Sequence, residues 1–400
     1  MAKKVKKTGL TREDLWKYVP KKSKTGLLPV LCSVLFEHGK TRASNLETMI
    51  CVPSDTEVNF PIAVSVSTLT PLVKSKDWPK SIRAYVELID GKKKLKAEIT
   101  TEKGHVFWVR DYELYDAEDF PQEVAVDFLP KGEITEYDAK IISTCADFCE
   151  LARTQNVNES IWDIDVEKGQ MRGFDVNMGA AFPTALEECR ISVGVARYCL
   201  EGGSIFYGAI KTGQHFVRVG YGDGSWIAGR VGDRVYPQVE NLFEDDLKLW
   251  FEVTAKAHEW RRCIALMMNY WQKGQSVRVS SDGNGKRVLM GLYEFAPNQK
   301  RECLDVEACP RVEMDCRHYS HGPNSMGFNP KLLKVQLDQF DDLTNVTLQF
   351  YGVHGYLDKM GEIVHRHKPL RIFNDSMLGR RLLMPVVDWS QRIHTGEGVS

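Results

Sequence analysis

The stretch Arg380-Arg381-Leu382-Leu383-Met384-Pro385-Val386-Val387-Asp388 decides how the rest of the chain is read. Leu382 to Val387 carries no charge and has a proline in its middle, and Ser390 to Ser400 behind it has the composition of a disordered tail. Proline cannot donate to a sheet ladder. The run therefore fits a strand that ends a domain at the edge of its sheet and leaves side chains available to another molecule. An ordinary terminal core strand has the same composition, and the run alone does not separate the two.

Upstream of this run one order of elements occurs three times. Helical periodicity is found over Thr11–Tyr18, Tyr137–Thr154 and Thr254–Tyr270. Each is followed by two strand-like runs around a turn: Val30–Phe36 with Asn45–Val52, Ile161–Val166 with Gln170–Asp175, and Ser276–Val279 with Arg287–Phe295. A shorter helix follows in each case, Ser67–Ser75, Ser192–Leu200 and Pro330–Phe340, with starts about 125 and 138 residues apart. Each repeat then closes on further strands. Ala84–Ile89 leads to the alternating Leu95/Ala97/Ile99 run, a turn at Lys103-Gly104 and Val106–Val109. Phe206–Ile210 leads to Phe216–Tyr221, the turn Gly222-Asp223-Gly224 and Trp226–Val231. Thr347–Tyr351 leads to Gly355–Leu357, a turn near Met360-Gly361 and the Leu382–Val387 run. Glycine supplies the positive φ such hairpin turns need. The expectation is an α+β protein with few helices and much antiparallel sheet.

A chain of 400 residues, 43% hydrophobic and 27% charged, is globular and holds two or three domains of ordinary size. Met1–Thr8 is lysine-rich with no apolar segment behind it, so it does not read as a secretory signal. No run reaches the roughly 18 apolar residues of a membrane span. Ten cysteines are scattered mostly through apolar stretches, as reduced thiols of a cytoplasmic protein are. With 53 basic against 54 acidic residues the net charge is -1, which excludes coating of DNA by bulk charge. Any nucleic-acid role must use local positive surfaces. Such surfaces exist near all six helices: Lys17, Lys21, Lys22 and Lys24; Lys74, Lys76 and Lys80; Lys140 and Arg153; Arg197; Lys256, Arg261, Arg262 and Lys273; Lys331 and Lys334. A solvated helix face also carries lysines, and it is the recurrence that adds weight.

Several short motifs in order resemble the bacterial β sliding clamp, the ring-shaped processivity factor of replicative DNA polymerases. In the first repeat they are Leu28-Pro29-Val30-Leu31, Asn45-Leu46-Glu47-Thr48-Met49 and Asp119-Phe120-Pro121. The second has Gly232-Asp233-Arg234-Val235-Tyr236-Pro237, and the third Met326-Gly327-Phe328-Asn329 and Met384-Pro385. The resemblance implies clamp domains at 1–130, 131–246 and 247–389 with a tail at 390–400. It also implies a head-to-tail homodimer whose helices line a central hole and whose sheets form the outer wall. It implies a protein without catalysis or cofactor, held on double-stranded DNA by topology and serving a DNA polymerase, a clamp loader and other clients. A clamp-shaped regulatory or structural protein that does not encircle DNA is the alternative.

Site residues follow from the same resemblance. Lys21, Lys22, Lys24, Arg153, Gln155, Arg197, Lys273 and Lys334 are expected to face duplex phosphates, weakly and without sequence preference. A client-peptide pocket is expected from Ile161, Val176, Pro237, Leu242, Leu382, Met384, Pro385 and Val386, with adaptable methionine at its base. Core packing is the competing role for Ile161 and Leu242. The seam between subunits is expected to join Phe107 and Val109, on an edge strand, to Met267 and Met268. The chain departs from the family at the pocket rim, where Val176-Asn177-Met178-Gly179-Ala180-Ala181 replaces a polar run, and at Asn241, where the family has an arginine. Client specificity is therefore expected to differ.

Signals for catalysis are poor. Gly220-Tyr221-Gly222-Asp223-Gly224 lacks the following helix of a dinucleotide loop, and Asp282-Gly283-Asn284-Gly285-Lys286 lacks Walker spacing. Cys303, Cys309, Cys316, His318 and His321 contain no Cys-x-x-Cys pair and make a weak zinc candidate. Their segment, roughly 297–323, reads as an insertion between strands.

Overall fold

The computed structural model describes residues 9–20, 28–89, 92–110, 113–154, 161–175, 178–233, 235–236, 248–271, 275–281, 287–295, 303–305, 312–315, 317–318, 325–357, 363–367, 370–374 and 377–383. The first repeat runs α1 (Arg12–Tyr18), β1 (Ser33–Glu37), β2 (Lys40–Ser44), β3 (Thr48–Pro53), β4 (Glu57–Val58), β5 (Ile62–Ser65), α2 (Val66–Lys74), β6 (Pro79–Ile89), β7 (Lys92–Thr101), β8 (Val106–Arg110) and β9 (Leu114–Asp116). The second runs β10 (Leu129–Glu133), α3 (Glu136–Thr154), β11 (Asp163–Glu167), β12 (Gln170–Phe174), β13 (Met178–Pro183), β14 (Cys189–Ser192), α4 (Val193–Ala196), β15 (Ser204–Ala209), β16 (His215–Gly220) and β17 (Trp226–Arg230). The third runs β18 (Lys248–Lys256), α5 (Ala257–Tyr270), β19 (Gln275–Ser281), β20 (Arg287–Phe295), β21 (Cys303–Asp305), β22 (Val312–Asp315), β23 (Arg317–His318), β24 (Ser325–Phe328), α6 (Pro330–Leu337), β25 (Asn345–Leu357), β26 (Ile363–His367), β27 (Leu370–Asn374) and β28 (Met377–Leu383).

Local chemistry starts the helices in the same way in each repeat. Thr11 and Asp14 form a reciprocal capping box on α1, the Thr11 N–H donating to Asp14 Oδ2 at 2.9 Å. Thr135 and Asp138 repeat it on α3, where Asp138 N donates to Thr135 Oγ1 at 3.0 Å. On α5 the Lys256 N–H donates to Glu259 Oε2 at 2.9 Å. The second helices begin after Ser65, Ser192 and Asn329. Asn329 Oδ1 accepts from Lys331 N at 3.0 Å, which gives the Gly327-Phe328-Asn329 motif its end.

The chain divides into two compact units: Met1–Ala146 with Trp162–Gly169 and Thr184–Val235, and Asp147–Ile161 with Gln170–Pro183 and Tyr236–Ser400. Unit 1 holds a nine-stranded sheet ordered β10-β15-β16-β17-β3-β2-β1-β5-β9, a four-stranded sheet β4-β6-β7-β8 and the β11–β14 pair. Its core gathers Val30, Leu31, Leu35 and Ala63 on the buried Phe120, so the Leu-Pro-Val-Leu and Asp-Phe-Pro motifs meet. Unit 2 holds the strands β12-β13-β28-β27-β25-β18-β23 in that order, with β26 on β25. It also holds β21-β20-β19-β24 with β22 on β20. Phe251 and Phe350 stack at 4.0 Å between centroids, and Phe328 meets Phe350 at 5.9 Å.

One joint is used twice. The last strand of the second repeat, β17, pairs antiparallel with β3 of the first, with Trp226 opposite Cys51. The last strand of the third, β28, pairs in the same sense with β13 of the second, with Leu382 opposite Gly179.

Four expectations need correction. The terminal strand is not at an edge: β28 is bonded to β13 on one side and β27 on the other, and it begins at Met377, before the apolar run. Thr347–Tyr351 and Gly355–Leu357 are one strand, β25, interrupted only by an irregularity between Val353 and Tyr356. The strand pairs expected early in the first two repeats each gain a strand: β2 lies between the two expected runs of the first repeat, and β13 follows those of the second. The helix expected at 192–200 shortens to Val193–Ala196. Gly194 lies against Thr48 so closely that a Cβ there would meet Thr48 Oγ1 at 2.7 Å. The expected turns at Lys103-Gly104 and Asp223-Gly224 form, with Gly104 and Gly224 at φ of +85° and +84°.

Candidate nucleic-acid interface and peptide groove

In unit 1 the ends of α1 and α4 meet through Tyr18 and Tyr198, whose rings lie edge-on at 6.0 Å. Burial pushes the Tyr18 phenol well above its ordinary range, and its hydroxyl donates to the carbonyl of Thr48. Lys17 and Arg197, the chain neighbours of these rings, are exposed, as are Lys74, Lys76 and Lys80 after α2. In unit 2 the C-terminal turns of α3 meet the end of α6, where Gln339 Nε2 donates to Asp147 Oδ2 at 3.0 Å. Arg153 is half-buried on that part of α3. Lys334 forms an ion pair with Asp338, one turn on along the helix, which offsets its charge locally. Lys331 lies 4.9 Å over the Trp271 ring.

Arg261 has a different task from the one its place in the sequence implied. It donates to the carbonyls of Leu337 at 3.1 Å and Phe340 at 2.7 Å and pairs with Asp342, closing the C-terminus of α6. The solvent face of α3 is mixed rather than basic, with Glu136, Lys140, Ser143 and Asp147 exposed and Glu136 paired to Lys140 at 3.1 Å. Of the expected phosphate contacts, Lys21, Lys22, Lys24, Gln155 and Lys273 lie outside the described residues.

The expected client pocket falls within unit 2. Ile161 is buried there. Leu382 has its backbone between Gly179 and Arg371. Val176, Pro237, Leu242, Met384, Pro385 and Val386 lie outside the described residues, as does Asn241. What can be seen is the floor beside them. Met178, Ala180 and Ala181 are buried in β13, so these residues of the altered segment are sheet core rather than rim. Phe174 meets Tyr236 at 6.4 Å, and the buried Arg172 guanidinium stands 5.4 Å from the Tyr236 ring. Arg381, only 1% exposed, packs 4.2 Å from the Phe340 ring centre and 5.5 Å from that of Phe182. Sequence reasoning did not find this aromatic shell. Tyr236 lies in the Gly-Asp-Arg-Val-Tyr-Pro motif, but an arginine at the head of an apolar run carries no signal of burial.

Gly179 is held to its size by this floor. A Cβ there would sit 1.9 Å from Phe174 Cδ1, so the ring would have to leave its place. Gly179→Ala is expected to destabilise the protein by about 1–3 kcal/mol, the usual cost of overpacking. Urea unfolding checks this, and adding Phe174→Leu should return part of the loss.

At the expected seam, β8 is an edge strand paired among the described residues only with β7. The side chains differ from expectation. Val109 and Met267 are buried in the core of their own units, so neither side chain is available to a second subunit. Phe107 and Met268 are half-buried. The apolar groups that reach solvent on these elements are Val106 and Trp108 on β8 and Leu266 and Tyr270 on α5. Trp108 also meets Tyr85 at 5.9 Å and carries Lys96 Nζ 4.5 Å above its ring.

For a metal, Cys303 lies on β21 and His318 on β23, while Cys309, Cys316 and His321 are outside the described residues. Among the described residues no group of three His, Cys, Asp or Glu side chains is placed to hold an ion. Nor is any helix among them long and apolar enough to cross a membrane.

This α+β fold matches that of solved bacterial DNA polymerase III β subunits, the sliding clamps. The structure is similar to a sliding clamp from Bartonella birtlesii solved with griselimycin, with a TM-score of 0.63 and 14% identity over 93% of this chain and 95% of that one. It is similar to the Caulobacter crescentus polymerase III β subunit (TM-score 0.63, 14% identity, 93% and 96% covered). The same holds for the Pseudomonas aeruginosa subunit (TM-score 0.63, 16% identity, 92% and 96% covered). No protein-family model and no curated protein sequence matches this chain.

Proposed function

We propose that this chain is a DNA sliding clamp: a non-enzymatic homodimeric ring that encircles duplex DNA and tethers a DNA polymerase, a clamp loader and other clients. Three domains, at 1–130, 131–246 and 247–389, form each half. The observation that carries the reading is the repeated joint. β17 on β3 and β28 on β13 leave one strand of each kind over, β8 of the first repeat and β22 of the third. Each of these pairs on one side only among the described residues. Two protomers placed head to tail would pair β8 with β22 twice, and the ring closes through six joints of one kind. Val106, Trp108 and the half-buried Phe107 line that edge.

Lys17, Lys74, Lys76, Arg153, Arg197 and Lys331 supply weak attraction to phosphates, and Lys334 does so less because of Asp338. Weak contacts suit the task, since a closed ring is retained by topology while tight contacts would stop it sliding. Clients enter the unit 2 groove beside Ile161 and the terminal strand. The acidic share of the α3 face favours one other reading, a clamp-shaped protein that never holds DNA.

One experiment separates them. Loaded onto nicked circular DNA, the protein is expected to stay bound in high salt and to run off when the circle is cut. A binder held by charge alone would lose about 10³ to 10⁵ in affinity between 50 and 200 mM salt whatever the DNA topology. Retention that disappears with salt on the uncut circle sinks the clamp reading.

A further inference from the structure

Unit 1 contains a pocket of about 230 Å³ where β17 joins β3, with the strand-free segment Pro121–Val126 along its side. Met49 and Trp226 form its floor, both buried, while Leu46 and Val124 stand exposed at its mouth, 63% and 44% accessible. Such a volume lies below the 300–1,000 Å³ of small-molecule sites and suits one or two apolar side chains. The segment along its side is acidic. From Asp111 to Pro130 the chain carries seven carboxylates and no lysine, arginine or histidine. Glu47 and Glu123 line the pocket itself, and Glu118, Asp119 and Asp127 are exposed nearby. Three adjacent arginines are already matched: Arg42, whose guanidinium reaches the Met49 sulfur at 3.9 Å, by Glu37 at 2.5 Å, Arg218 by Glu123 at 3.0 Å and Arg230 by Asp233 at 3.4 Å. The Arg218 guanidinium lies over Trp226, 4.4 Å from the ring centre.

An acidic mouth repels nucleic acid and attracts cations, while the floor requires an apolar group. The pocket also repeats, one joint earlier, the local build of the β28–β13 joint beside which the client groove is proposed. We infer that it binds a short linear peptide of a partner protein. One bulky apolar side chain fills the cavity and lysine or arginine flanks it. The site is separate from the unit 2 groove and does not depend on DNA being encircled.

The test uses the full chain and two labelled hexapeptides, each with leucine and phenylalanine at its centre, one ended by lysine pairs and the other by glutamate pairs. Fluorescence anisotropy is expected to show saturable binding of the lysine peptide and at least tenfold weaker binding of the glutamate peptide. Leu46→Ser with Val124→Ser, both at exposed positions, should weaken the lysine peptide about tenfold or more. Glu123→Gln with Asp127→Asn should weaken it severalfold at low salt and little at high salt. Ala228→Gln, which fills the cavity from β17, should reproduce the loss should the double serine variant melt early. Removal of residues 384–400 should leave this affinity unchanged, which separates the site from the unit 2 groove. Equal binding of both peptides, an affinity indifferent to Leu46, Val124 and Ala228, or loss on removing residues 384–400 would each overturn the inference.

Discussion

Replacing Trp260 with alanine is expected to lower stability by about 3–5 kcal/mol, the range for emptying a fully buried aromatic site. Trp260 is the largest completely enclosed side chain among the described residues. It anchors α5 to the sheet beneath, and its indole N–H donates to the Val346 carbonyl on β25 at 3.0 Å. Cys263, Ile264 and Met267 complete the same buried stripe, but none has its volume. Trp260→Phe keeps most of the packing and forfeits the hydrogen bond, for a further loss of about 1 kcal/mol beyond the smaller ring. Urea titrations at unchanged slope check both values. A Trp260→Ala variant within 1 kcal/mol of the parent would mean that α5 is held by something else.

The second large effect concerns assembly. Val106→Lys together with Trp108→Lys is expected to convert a dimer into monomers at micromolar concentration. Both side chains are more than half exposed in the single chain, so the protomer should fold as before. Lysine on an edge strand is a common means of keeping strands from pairing, and a buried interfacial tryptophan is commonly worth 2 kcal/mol or more. Sedimentation velocity reads the outcome directly. A variant that remains dimeric places the seam away from β8. A parent that is already monomeric removes the ring altogether.

Much of this architecture was legible because it depends on local rules. The spacing of Trp260, Cys263, Ile264 and Met267 specifies one buried helical stripe before any partner is known. Thr11 with Asp14 and Thr135 with Asp138 announce two helix starts from side-chain chemistry alone. Gly104 and Gly224 mark hairpins because their backbone conformation requires them.

What could not be read depends on partners far along the chain. β28 finds β13 some two hundred residues earlier, and nothing within the Leu382–Val387 run records a neighbour on both sides. The seam shows another limit. Val106-Phe107-Trp108-Val109 is apolar at every position, so alternation leaves two equally apolar faces and no means of ranking them. The structure turns Val109 inward and Val106 and Trp108 outward. The burial of Arg381 between Phe340 and Phe182 was equally hidden, because a guanidinium gains its place from rings supplied by other segments.

The repeated strand joint has a consequence for how such an assembly would come apart. Where β17 meets β3 and β28 meets β13, both partners belong to one polypeptide, and each finds the other at an effective concentration of millimolar order whatever the dilution. A β8–β22 contact between protomers has no tether and must be formed from solution. In the proposed ring the same type of hydrogen-bonded junction would be indifferent to protein concentration at four places and sensitive to it at the remaining two. Those two would offer the least resistance to opening and would be the first to part on dilution.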